Sequence, residues 1–210
     1  MLVKQRTMLM NQLRGLMAEF GIVIGKGPQH VGKLLAIVAE PADERLPPLL
    51  RETLAALAQG LRDLAQRLVR LDRQILDWGR DNQTYQHLIT VPGYGPILAS
   101  ALAAMTIDPA ALRSGRGFAA SLGLVPRQEG GKVKLGPISK RGNGYLRRLL
   151  VNGAMAVLGS KRAKQDPWLI KLLASKPRKL VAVALANKMA RIGWAIMRRQ
   201  EDFRPLSVPA

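Results

Sequence analysis

The sequence predicts a mainly α fold, in which long coiled-coil helices precede a compact helical domain bearing a helix-hairpin-helix-like turn and one small β-hairpin. Three observations lead there. Aromatic residues make up only 4% of the 210-residue chain while 48% is hydrophobic, and Leu and Ala dominate that apolar content, which favours helices packed through aliphatic side chains over stacked strands. A leucine seam of heptad spacing runs through the first half. The second half is cut by Gly, Pro and capping residues into helix-length runs.

The opening segment places Leu2, Leu9, Leu13, Leu16 and Phe20 on one helical face,. This pattern is already running at residue 2, with no Ser, Thr, Asp or Asn before it as a cap. The segment therefore reads as a helix entered part-way. Gly21 ends it, and Gly25, Gly27, Pro28 and Gly32 mark a loop before the apolar run Leu34 to Val38.

Next, Leu50, Leu54, Leu57, Leu61, Leu64, Leu68, Leu71, Ile75 and Trp78 alternate four and three apart, the period that supercoils helices. The seam predicts a coiled coil, either with the first helix or between two copies of the chain. An amphipathic helix lying on a globular core would show the same stripe.

After Asp81 and Asn82 the character changes. Val91-Pro-Gly-Tyr-Gly-Pro96 predicts a tight turn before a helical run from Ile97 to Met105, and Ser114-Gly-Arg leads to a short helix that Gly123 closes,. Arg127 to Leu135 reads as a β-hairpin turning at Gly130 and Gly131, with Lys132 and Lys134 on one face,. Asn143 can cap a helix running to Leu158, Asp166-Pro167 opens another, and Pro177 starts a last one ending near Arg199,. The predicted domains are 1–87 as the coiled-coil region and 88–204 as the compact domain, with 205–210 a loose tail.

Charge narrows the partner. The formal net charge is +19, and from Arg127 to Arg199 eighteen Lys and Arg stand against two acids, Glu129 and Asp166. Between Glu40 and Asp81, by contrast, eight acids nearly balance seven arginines. Clustered cations gain free energy by releasing counterions condensed on phosphates, so the basic half predicts a nucleic-acid partner. An anionic membrane surface and a merely solvated basic face are the rival readings.

Other chemistries lack their residues. The chain has no cysteine, which removes disulfides and thiolate sites and fits a reducing, cytoplasmic setting. His30 and His87 stand alone at no ligand spacing, so zinc is not expected,. The most apolar stretch, Leu180 to Met197, is interrupted by Asn187, Lys188 and Arg191, which would be costly in lipid. Acids after residue 90 are Asp108, Glu129, Asp166, Glu201 and Asp202, too scattered for the convergent carboxylates of two-metal catalysis. No metal site and no bound cofactor are expected of this chain.

Two stretches invite chemistry. In VPGYGP, Gly93 and Gly95 suit a turn that brings backbone N–H groups against a DNA phosphate at a helix N-terminus. A plain inter-helix turn uses the same residues. In GPISKRGNGYLRR, Ser139 precedes Lys140 and Arg141, and Arg147 and Arg148 follow. As a nucleophile its hydroxyl would need to lose a proton among positive donors, yet no His or carboxylate is adjacent in sequence. As a phosphate-contacting turn residue it would need neither, and local spacing favours that role.

The ordered blocks TVPGYGPILASALAA, RSGRGFAASLGLVPRQ, GGKVKLGPISKRGNGYLRRLLVNGA and ALANKMARIGWAIMRR closely resemble the IS110/IS116/IS902 insertion-sequence transposase family, relatives of the Piv DNA invertases. The opening segment and heptad helix resemble the region preceding this block, so the resemblance covers nearly the whole chain. It implies an N-terminal nuclease-like domain with four acidic metal ligands ahead of this region, and a serine implicated in covalent strand exchange within it. Gln128-Glu129-Gly130-Gly131-Lys132 depart from the SSGGK common in relatives. Only Ser139 then remains as the matching core serine, and the resemblance favours it as the nucleophile.

By resemblance the chain is thus the DNA-binding and strand-transfer part of a transposase acting on double-stranded DNA. Gly93, Gly95, Arg127, Lys132, Lys134, Lys140, Arg141, Arg147 and Arg148 form its candidate nucleic-acid surface. Mg²⁺ is implied for the full reaction, with carboxylates supplied from outside this chain. A structured guide RNA and a homo-oligomer through the coiled coil are further expected partners. The rival reading is a catalytically inactive, truncated transposase that only binds nucleic acid and oligomerises.

Overall fold

A computed structural model describes residues 1–41, 43–105, 111–127 and 136–204. The mainly helical class predicted from the sequence is what it shows. The chain divides into two units, Met1–Gln74 and Ile75–Ala210.

In the first unit, α1 (Leu2–Glu19) starts with no side-chain cap and ends as Ile22 N–H bonds back to Met17 O, with Gly21 in the left-handed region at φ +75°. A short 3₁₀ turn leads into α2 (Val31–Ala39), and α3 spans Pro48–Arg80. The core joins Met10, Leu13 and Met17 of α1, Leu34 and Val38 of α2, and Leu54, Ala58 and Leu61 of α3. Gly60, the one seam interruption, lies beside Leu9 of α1, to which an added Cβ would stand at 3.7 Å. The first half of the heptad seam is therefore used in packing within the chain. Farther along α3, Leu64 and Leu68 are half-buried, while Leu71 and Trp78 are each 43% exposed.

The second unit takes in the last residues of α3, then α4 (Gln83–Ile89) and α5 (Pro96–Ala103), joined by the VPGYGP turn, and continues through α6 (Gly115–Ser121), α7 (Gly144–Gly159), α8 (Pro167–Ser175) and α9 (Arg178–Arg199). Side chains cap four of these helices as local chemistry requires: Asn82, Ser114, Asn143 and Asp166 accept from first-turn backbone N–H groups,. The central element is α9, which packs against α4, α6, α7 and α8. Its buried residues, Val181, Ala182, Leu185, Ala186, Met189, Ala190, Gly193, Ile196 and Met197, recur at helical spacing and form one core-facing stripe. This is the one described helix long and apolar enough to cross a membrane, and half of its apolar window is buried inside the unit. Core packing accounts for that apolarity.

Small residues set the helix spacing. Tyr94 is buried and its Oη donates to Met189 O at 2.8 Å, while any side chain at Gly193 would run into the same phenol. Burial pushes the Tyr94 phenol well above its ordinary value, opposed in part by its backbone hydrogen bonding,. Only the base of the expected β-hairpin falls within the described residues. There Pro126 and Ile138 form an antiparallel bridge, Ser139 N–H donates to Val125 O at 2.8 Å, and Arg127 N–H donates to Pro137 O at 3.3 Å. The predicted turn at Gly130 and Gly131, with Lys132 and Lys134, lies outside the described residues.

Candidate nucleic-acid interface

Ser139 sits where three elements meet: the C-terminus of α6, the paired segments 125–127 and 137–139, and the N-terminus of α7. Two glycines make that junction possible. Gly123 at φ +68° and Gly142 at φ +76° occupy backbone space in which a Cβ would strike Arg141 O or Ser121 O. Lys140 N–H then donates to Gly123 O at 3.2 Å. Lys140 itself takes φ +56°, a left-handed conformation that costs a non-glycine residue about 1–2 kcal/mol. The turn that presents Ser139 is thus held against local strain by tertiary packing.

Polar side chains hold the turn from below. Arg147 donates from one guanidinium nitrogen to Leu122 O at 2.9 Å and Arg141 O at 3.1 Å, tying α6 to the Ser139 turn. Asn187 of α9 donates to Leu124 O at 3.1 Å. Asn143 Oδ1 accepts from Tyr145 N–H at 3.0 Å and Leu146 N–H at 3.1 Å. Those two amides are consequently engaged, and α7 offers the positive end of its dipole.

Above this frame the turn carries free polar groups. Ser139 is half-buried, with its hydroxyl in no hydrogen bond among the described residues. Lys140, Arg141, Arg148 and Arg127 are exposed. Ion pairs among the described residues are Arg45 with Asp43, Arg80 with Asp77, His87 with Asp202 and Arg199 with Glu201, so none of these cations is neutralised within the described chain. A phosphate would meet concentrated positive charge beside a hydroxyl.

Gly93 and Gly95 lie elsewhere. Gly93, at φ +86°, faces α7 and α9: a Cβ there would stand 2.6 Å from Val157 Cγ2, 2.8 Å from Gly153 O and 2.9 Å from Met189 Cε. Its partners are nine to thirteen residues into α7, roughly 15–20 Å along the axis from the N-terminus beside Ser139. Gly95 is exposed, meets nothing within 4 Å, and stands at the N-cap of α5. The structure thus gives Gly93 an interior packing reason for being glycine and leaves Gly95 open to solvent. It brings Ser139, Lys140, Arg141 and Arg147 together, with Arg148 one turn on.

Sequence reasoning did not single out Tyr145, which is 49% exposed with the Arg148 guanidinium 5.7 Å from its ring centroid. The i, i+3 spacing of a tyrosine and an arginine at a capped helix start was the available signal. Nor did it find the frame role of Asn187, whose partner Leu124 is 63 residues distant.

Comparison with known proteins assigns this arrangement to a lineage. The model of the Transposase IS116/IS110/IS902 family matches residues 85–168, from α4 to the start of α8. A protein of Pseudomonas aeruginosa described as a probable family 20 transposase is 46% identical over 97% of this chain. Residues 85–168 of this chain thus carry a domain of the IS116/IS110/IS902 transposase family. The transposase of insertion sequence element IS1328 from Yersinia enterocolitica is 38% identical over 96% of the chain, and that of IS1111A from Coxiella burnetii is 34% identical over 97%. The chain spans 62%, 61% and 57% of these three relatives' lengths, respectively. The family match contains Gly93, Gly95, Ser139 and the cations around it, so the junction built by Gly123, Gly142 and Arg147 belongs to the family's own domain.

Proposed function

We propose that this chain is the DNA-binding and strand-transfer portion of a transposase, and that Ser139 is its nucleophile. The observation that carries this reading is the Ser139 turn, a strained, glycine-locked loop that presents a hydroxyl without a hydrogen-bond partner beside cations without an ion-pair partner, both among the described residues. In the proposed step Ser139 Oγ attacks a phosphodiester phosphorus. An Oγ–P bond forms, the P–O bond to the leaving strand breaks, and the hydroxyl proton ends on the departing oxygen. Attack by a new strand's hydroxyl on the phosphoserine reverses the exchange and frees Ser139. Lys140, Arg141 and Arg148 offset the charge that grows on the phosphorane, while Arg147 and Asn143 hold the turn in place.

The family resemblance implies Mg²⁺ for the complete reaction. Among the described residues no three of His, Asp and Glu converge to hold an ion, so these residues do not fit it and no step is assigned to it here. Double-stranded DNA is the proposed partner of the basic surface, with a structured guide RNA as a further one. The apolar seam positions of α3 left exposed, Leu71 and Trp78, support a homo-oligomer through that helix.

The test is Ser139→Ala in the presence of a complementing acid-bearing domain, with covalent protein–DNA adducts trapped under denaturing conditions. Adducts should vanish while salt-sensitive DNA binding remains. Adducts that persist would remove Ser139 from its role; binding without any adduct in the unmodified chain would instead favour a protein that only binds and assembles.

A further inference from the structure

Aromatic side chains are scarce here, with three each of Trp, Tyr and Phe, so their placement is informative. Tyr85, Tyr94 and Phe118 are buried in the second unit's core. Tyr145 is instead 49% exposed, the most exposed aromatic ring among the described residues. It stands at the second residue of α7, where its own N–H is fixed by Asn143. The ring packs into no core cluster, and Arg148 covers it from one turn below at 5.7 Å. Trp168 and Trp194 also carry cations, Lys188 and Arg198, but neither ring belongs to the Ser139 junction.

A guanidinium beside an aromatic face, here with no carboxylate partner among the described residues, makes a surface suited to a flat, electron-rich ligand. Nucleobases are such ligands, and stacking tolerates any base because every base has a π-face. A base within a duplex already has its two stacking neighbours. Only one displaced from the helix can use Tyr145, and extrusion costs least where the base is unpaired.

We infer that Tyr145, backed by Arg148, is a stacking platform for an unpaired DNA base whose neighbouring phosphate lies on Lys140 and Arg141. This rests on the reading of the Ser139 surface as DNA-binding and adds the substrate's local form: distorted or locally unpaired DNA in preference to a perfect duplex. Stacking there would also fix the backbone next to the serine hydroxyl, with Tyr145 acting as a positioning residue.

The test uses the full chain and two DNA duplexes of identical length and charge, one with a single bulged adenine and one with an abasic residue at that position. Fluorescence anisotropy should show the base-bearing duplex bound about tenfold tighter. Tyr145→Ala should bind both duplexes alike at the affinity of the abasic one, Tyr145→Phe should keep the preference, and circular dichroism should show both variants folded. A wild-type chain indifferent to the base, or a Tyr145→Ala chain that keeps the preference, overturns the inference. Failure to bind any duplex at low salt overturns the DNA reading beneath it as well. The same pair made as RNA provides the second arm: a base preference seen only there would reject DNA as the ligand.

Discussion

Replacing Gly93 by Ala separates a glycine kept for packing from one kept for contact with DNA. At φ +86° the new residue would pay about 1–2 kcal/mol for a left-handed backbone. Its Cβ would also sit 2.8 Å from Gly153 O, as well as close to Val157 Cγ2 and Met189 Cε. The two side-chain ends can move aside, but the α7 carbonyl cannot without shifting the helix. Overpacking of that kind adds typically 1–3 kcal/mol, for a total of roughly 2–5 kcal/mol. At about 2–4 °C per kcal/mol for a protein of this size, Tm should fall by the order of 10 °C. Gly95→Ala is the control: its backbone is extended at φ −95°, ψ 172°, and the space around it is open, so only a capping effect below about 1 kcal/mol is expected. Thermal and urea unfolding followed by far-UV circular dichroism, with DNA binding measured well below the transition, gives both readouts. Equal stability of the two variants, or DNA binding lost from a folded Gly93→Ala chain, would refute the packing argument.

Two further substitutions probe the frame of the site and the core of the unit that carries it. Asn143→Ala removes the acceptor of two α7 amides and should cost about 1 kcal/mol, read by urea unfolding, with faster amide exchange at Tyr145 and Leu146 than in the parent. Tyr94→Phe removes the buried bond to Met189 O and should cost about 1 kcal/mol near neutral pH. The same position sets an alkaline limit. Because burial raises the Tyr94 phenol above its ordinary value of 10.0, the unfolded chain releases that proton first. The stability Tyr94 contributes is therefore fully present below about pH 10 and is lost as pH climbs from there toward the raised value. Tyr94→Phe should lose stability less steeply above pH 10, measured by unfolding at stepped pH.

Much of the architecture was legible because it rests on local chemistry. Asn143, Asp166 and Pro177 mark their helix starts through the hydrogen bonds or fixed φ that those side chains impose,. The polar residues within Leu180 to Met197 were legible as costly in lipid; that the stretch packs as a core helix came from the structure, where Asn187 turns to the Leu124 carbonyl while the apolar stripe is buried. The heptad seam was legible as a helix but ambiguous as to partner. An apolar stripe specifies a surface to be covered, and the residues that cover it, α1 and α2 over Leu54 to Leu61, are distant in sequence.

The sequence by itself determined the mainly helical class, the basic half and the family blocks, because propensity, capping and net charge are sums over nearby residues. Tertiary structure alone decided what each conspicuous residue is for. It turned Gly93 inward, because helix α7 approaches that backbone too closely for a Cβ. It committed one nitrogen of Arg147 to two carbonyls, set Lys140 in a left-handed turn, and left Tyr145 half exposed under Arg148 at the start of α7. Each of those outcomes depends on which distant backbone arrives within a few ångströms, and spacing along the chain carries no record of that.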